Sequence, residues 1–136
     1  MMNINDTLTS FAKALKADSF FKNIKIIKPY PYEFYAGEIK QSFVCVGLDE
    51  VDVSALELGD DTKYGNVKIK LDIFTPVSNS SYAKDIFLNA CRVSQSFNIV
   101  SIKAEPLVYS KRSKGFRLDA YFTISDRIDF GGESGE

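Results

Sequence analysis

Two stretches of strict apolar–polar alternation limit this chain more than any other feature. Val67, Ile69, Leu71 and Ile73 alternate with Asn66, Lys68, Lys70 and Asp72. Phe116, Leu118, Ala120, Phe122 and Ile124 alternate with Arg117, Asp119, Tyr121 and Thr123. Successive side chains on a strand point to opposite faces, so each stretch predicts a strand with one buried face. Thr75-Pro76 ends the first, because proline gives no N–H to a ladder. Val100, Ile102 and Ala104 alternate with Ser101, Lys103 and Glu105, break or bulge at Pro106, and resume at Leu107-Val108-Tyr109. Lys111-Arg112-Ser113-Lys114-Gly115 predicts the hairpin loop that folds the last strand back on residues 100 to 109.

The remaining segments predict two helices and shorter strands. Asp6 or Thr7 is positioned to cap a first helix carrying Leu8, Phe11, Ala12 and Leu15 on one face. Asp18-Ser19 restarts a short turn with Phe20 and Phe21. Ser78-Asn79-Ser80-Ser81 offers caps for a second helix. Its stripe is Ala83, Ile86, Phe87, Ala90 and Val93, with Cys91 at the border and Asp85 near the positive N-terminal end. Ile24, Ile26 and Ile27 suggest a strand stopped by Pro29 and Pro31, and Gln41 to Leu48 reads as a strand buried on both faces. Val51, Val53 and Leu56 suffice for a brief strand or a loop anchor, and Tyr64-Gly65-Asn66 is a turn signal. The expected architecture is α+β: one domain over residues 1–130, a mostly antiparallel four- to five-stranded sheet, and two helices against one face. Residues 131–136, Gly-Gly-Glu-Ser-Gly-Glu, have nothing to bury and are expected to be mobile. A chain of 136 residues buries about 70% of its extended-chain surface, enough for a core without metals or disulfides.

Composition then removes most chemistry. The chain has no His, which excludes Ser-His and Cys-His catalysis, His-ligated zinc and imidazole acid–base work within it. Cys45 and Cys91 are too few for a disulfide scaffold or a metal cage and read as small buried hydrophobes of a reducing compartment. No phosphate-binding glycine loop is present. No stretch approaches the roughly 18 apolar residues of a membrane span, and the N-terminus lacks a secretory signal pattern. The expectation is a cytoplasmic, non-enzymatic protein with no catalytic residues, cofactor or metal.

Charge is balanced in total and segregated along the chain. Seventeen basic and eighteen acidic residues leave a net charge of −1, against a dedicated DNA coater. Yet from Asp49 through Glu50, Asp52, Glu57, Asp60 and Asp61 no basic residue occurs until Lys63, while from Lys103 to Arg117 the bases Lys103, Lys111, Arg112, Lys114 and Arg117 oppose only Glu105. The acidic stretch lacks the spacing of a calcium loop and reads as a solvated or interface loop. The basic hairpin has three readings: ordinary surface variation, a nucleic-acid contact, or one half of a head-to-tail contact. In the last, Lys111, Arg112 and Lys114 of one subunit meet Asp49, Glu50, Asp52, Asp60 or Asp61 of the next. The segment 28–35 holds four aromatics, Tyr30, Tyr32, Phe34 and Tyr35. They form either a stacking or partner-binding arm or an edge segment covering the core.

Three segments together resemble the tail terminator (tail completion) proteins of long-tailed phages and phage-like contractile particles. They are the alternating strand Val67 to Pro76, the Ser/Asn-preceded helix Ser80 to Cys91, and the closing hairpin Ile102 to Tyr109 with Lys114 to Ile124. The first helix and the strand Phe43 to Gly47 fit the same order. The resemblance implies a non-enzymatic protein whose sheet is flanked by helices. It implies a hexameric ring on the last ring of the tail tube that stops its polymerisation, with sheath contact in contractile systems. A head-tail connector, another neck or baseplate component, and a small nucleic-acid-binding module built on the basic hairpin stand as alternatives.

Overall fold

The two alternating segments pair with each other and form the centre of the sheet. The computed structural model describes residues 3–28, 38–55 and 63–127. Strand β3 (Lys63–Pro76) runs antiparallel to β6 (Gly115–Arg127), in register from Tyr64 opposite Arg127 to Pro76 opposite Gly115. On the far side of β3 lies β2 (Phe43–Ala55), antiparallel, and beyond it β1 (Lys25–Ile27), parallel to β2. On the far side of β6 lie β4 (Ile99–Ala104) and β5 (Val108–Ser110), both antiparallel to it. The order is β1-β2-β3-β6-β4, with β5 also on β6. The α+β reading holds; the three-residue strands β1 and β5 bring the sheet to six strands, and β1–β2 makes it mixed.

Two helices cover one face. Helix α1 (Ile4–Ala17) buries Phe11, Ala12 and Leu15, and helix α2 (Tyr82–Ser94) buries Ala83, Ile86 and Ala90. These pack with Val44 and Val46 of β2, Val67 to Ile73 of β3 and Ala120 to Ile124 of β6. The Phe11 ring stands 5.3 Å from both Phe97 and Phe122, in the tilted arrangement aromatic quadrupoles favour. Arg92 closes the layer at its surface, donating to both carboxylate oxygens of Asp18 at 3.0 and 2.7 Å across 74 residues of chain. That guanidinium holds the Asp18 carboxyl below its ordinary range.

Several local expectations are corrected. Asn3, not Asp6 or Thr7, caps α1: its Oδ1 accepts from the Asp6 N–H at 3.1 Å, and Thr7 Oγ1 donates back to the Asn3 carbonyl. Tyr64-Gly65-Asn66 lies inside β3, because pairing with both β2 and β6 overrides the local turn preference. The acidic segment is not a loop over 49–55: β2 continues through it. A bulge between Ile99 and Ser101 displaces Val100 from the inward series, so Ile99 and Ile102 face the core and Val100 is exposed. The expected mobile tail 131–136 lies outside the described residues.

Gly115 fits the fold through lack of a side chain rather than through turn geometry. The left-handed residue of the turn is Lys114, with φ 53°. A Cβ on Gly115 would meet the Thr75 carbonyl oxygen at 2.6 Å and Ile39 Cδ1 at 2.8 Å. We expect Gly115→Ala to destabilise the fold by about 1–3 kcal/mol, as overpacking does, read as a lower urea midpoint. An unchanged midpoint would contradict this close approach.

Candidate assembly interface

The basic turn is held firmly and presents its charges outward. Ser110 Oγ accepts from the Ser113 N–H at 3.2 Å, Ile39 N–H donates to the Ser113 carbonyl at 2.7 Å, and Val77 N–H donates to the Lys114 carbonyl at 3.3 Å. Ser113 is buried while Lys111, Arg112 and Lys114 are exposed. Three fixed cations at one end of the sheet suit contact with an acidic partner.

The acidic residues sit at the other end. Asp49, Glu50 and Asp52 lie on β2, where Glu50 pairs with Lys68 and Lys68 with Thr123 across the sheet. From Gly115 to Thr123 is eight strand residues, about 27 Å along β6. Within one copy, then, the basic turn and the acidic strand do not meet. Glu50 instead bonds Lys68 at 3.2 Å, and both are solvent-accessible, so the pair contributes little to stability. Asp60, Asp61, Tyr30, Tyr32, Phe34 and Tyr35 lie outside the described residues.

The helix-free face of the sheet carries a polar groove of about 310 Å³. Asp49, Lys68, Ser101, Lys103, Glu105, Tyr121 and Thr123 line it. At its other end the same face turns apolar: Phe43 and Phe74 stack at 4.7 Å, beside Ile27, Ile39 and buried Cys45. No group of three or more potential metal ligands occurs among the described residues.

Between the groove and this apolar patch lies a charge cluster that alternation alone does not reveal. Asp72 and Asp119 are directly opposed on β3 and β6, 0% and 8% exposed. Lys70 Nζ stands 3.8 Å from Asp72, and Arg117 Nε 3.1 Å from Asp119. Neither Asp72 oxygen has a hydrogen-bond partner among the described residues. Burial first, and the Asp119 carboxyl second, push the Asp72 carboxyl up to about 8. Burial and the opposed Asp119 carboxyl thus both favour the protonated form of Asp72. Burial also pushes the Cys45 thiol up to about 12, with Asp72 across the strand adding to it. The sequence signal for this cluster was Cys45 and Phe74 in the register otherwise occupied by polar residues.

The sheet's two outer edges gather exposed apolar side chains. Leu48, Val51 and Val53 lie along β2; Val100, Leu107, Val108 and Tyr109 lie along β4, β5 and the segment joining them, all between 37% and 58% exposed. These are seven of the ten large exposed hydrophobics among the described residues, so the exposure follows the edges rather than scattering. No helix among the described residues is long and apolar enough to cross a membrane.

No family model and no curated protein matches the chain. A solved structure does. A chain from the virion of a native gene transfer agent (GTA) particle superposes with a TM-score of 0.54 at 14% identity, covering 91% of this chain and 97% of that one. The two share a fold over nearly their full lengths.

The Asp72 carboxyl makes stability depend on pH. Its raised value means that the folded state keeps a proton the unfolded state releases above the ordinary carboxyl value of 3.8. Stability is therefore greatest below that value and falls until pH passes about 8. Asp72→Asn, neutral at every pH and able to donate to Asp119, should flatten this slope and raise the melting temperature at pH 8. Thermal melts from pH 5 to 8 that show equal slopes for the two proteins would refute the raised Asp72 carboxyl.

Proposed function

We propose that this chain is a structural subunit of a phage-like tail, a tail terminator whose copies close into a ring, hexameric by resemblance. The ring caps the end of the tail tube and stops its growth. One observation carries this reading: the fold is that of a chain found in a gene transfer agent virion, over 91% of this chain and 97% of the other. The element order noted from Val67 to Ile124 supports it from the sequence.

The mechanism is one of shape and contact. Such a ring matches the growing tube end with one surface and offers no acceptor for a further tube subunit on the other. In a contractile particle the outer surface also meets the last sheath ring; in a headed particle a connector meets the far end. The firmly held turn with Lys111, Arg112 and Lys114 is one contact element, and Asp49, Glu50, Asp52, Asp60 and Asp61 are its proposed partners on another copy. Because the turn and the acidic strand lie about 27 Å apart along the strands, copies joined this way are offset along the strand axis.

Native mass spectrometry tests the reading. Wild type should give a defined ring mass, alone or with tube protein. Lys111→Glu/Arg112→Glu should shift the population toward monomer, with the loss largest at low salt, where unscreened charges act furthest. Ring formation equal to wild type at low and high salt would sink the charge contact. A persistent monomer that binds DNA in a salt-sensitive way would instead favour the nucleic-acid module.

A further inference from the structure

We infer that the outer edge of β4 in one copy pairs with residues 46–55 of β2 in a second copy, so that the sheet continues across the subunit boundary. The inference rests on the ring reading for its partner, a second copy of this chain; it sets the two copies level, with the acids of β2 facing Lys103, and is an alternative to the offset contact between that strand and the basic turn.

Among the described residues both edges have unpaired backbone. Strand β1 pairs with β2 only at Phe43 to Cys45, and among the described residues no strand covers 46–55 on that side. On β4, Glu105 N–H donates to the Asp119 carbonyl at 2.8 Å. Backbone groups alternate in direction along a strand, so the N–H and C=O of Ile102 and Ala104 point away from β6. Exposed edges of this kind template pairing with another chain unless blunted.

The two edges also complement each other. Residues 46–55 carry Asp49, Glu50 and Asp52 and no base, whereas β4 carries Lys103. Each edge holds exposed apolar residues, Leu48 and Val51 on one and Val100 on the other. They stand at the same height in the sheet: Val51 is level with Ile99 through Val67 and Ile124, and Leu48 with Ile102 through Ile69 and Phe122. Since β2 and β4 run in opposite directions within the sheet, a second copy set edge to edge in the same sense pairs antiparallel. The contact is head-to-tail, using different surfaces on the two copies.

The test uses the full chain with Cys91→Ala, leaving buried Cys45, and adds Val51→Cys and Val100→Cys in one polypeptide. Three strand spacings, about 14 Å, separate these positions within a copy. That exceeds the reach of a disulfide, so bonds form only between copies. Mild oxidation should give a ladder of covalent oligomers on a denaturing gel, while each single-cysteine chain stays monomeric. Adding Ala104→Pro, which removes an outward N–H but no bond to β6, should slow the ladder at least tenfold and leave the melting temperature nearly unchanged. A defined ring mass without a ladder overturns the edge pairing and leaves the ring standing. A ladder in a protein that shows no closed mass supports the pairing and overturns the ring. A monomer without a ladder overturns both, and a strong dimer from Val51→Cys alone shows a like-with-like contact and overturns the head-to-tail pairing.

Discussion

The antiparallel pairing of β3 with β6 is the constraint on which the rest of this protein depends. Its register sends Val67 to Ile73 and Leu118 to Ile124 to the face that α1 and α2 cover. The same register sends Lys70, Asp72, Arg117 and Asp119 to the other face, where like acids are forced into opposition. A slip of one residue would exchange the two faces and place those charges against Phe11 and Ile86. Core and charge cluster are thus consequences of one ladder.

That ladder also determines where contacts with other molecules form. With both central strands paired on each side, open hydrogen-bonding capacity among the described residues falls to β2 and β4. Bulges at Leu48/Glu50 and Ile99/Ser101 interrupt the ladders of those strands, and the second leaves Val100 exposed. The basic turn at one end is fixed by bonds from Ile39 and Val77, so its cations are presented by a rigid body.

Much of this was legible in the chain itself. The alternation at 66–73 and 116–124, the stripe through Ala83, Ile86 and Ala90, and the break at Pro106 all depend on local periodicity, and the structure keeps them. The acidic segment was legible only as a brief strand or a loop anchor, not as a continuation of β2. The bulge puts Leu48 and Val51 three residues apart on one face, which destroys the period of two. Tyr64-Gly65-Asn66 misled for a related reason: its turn chemistry is local, whereas ladders on both sides hold it extended. Asp72 read as solvent-facing because alternation assigns a face but not what covers it. Of the interface, the basic turn was visible from composition. Its distance from the acidic strand, and the open edges, follow only from the long-range register.

The most direct measurement is electron cryomicroscopy of the full chain mixed with tubes assembled from the particle's tube protein. A subunit that caps a growing tube is expected as a single closed ring at one end of each tube, with tube lengths no longer increasing. Copies spread along the tube wall, or tubes that keep growing with their ends bare, would contradict the role.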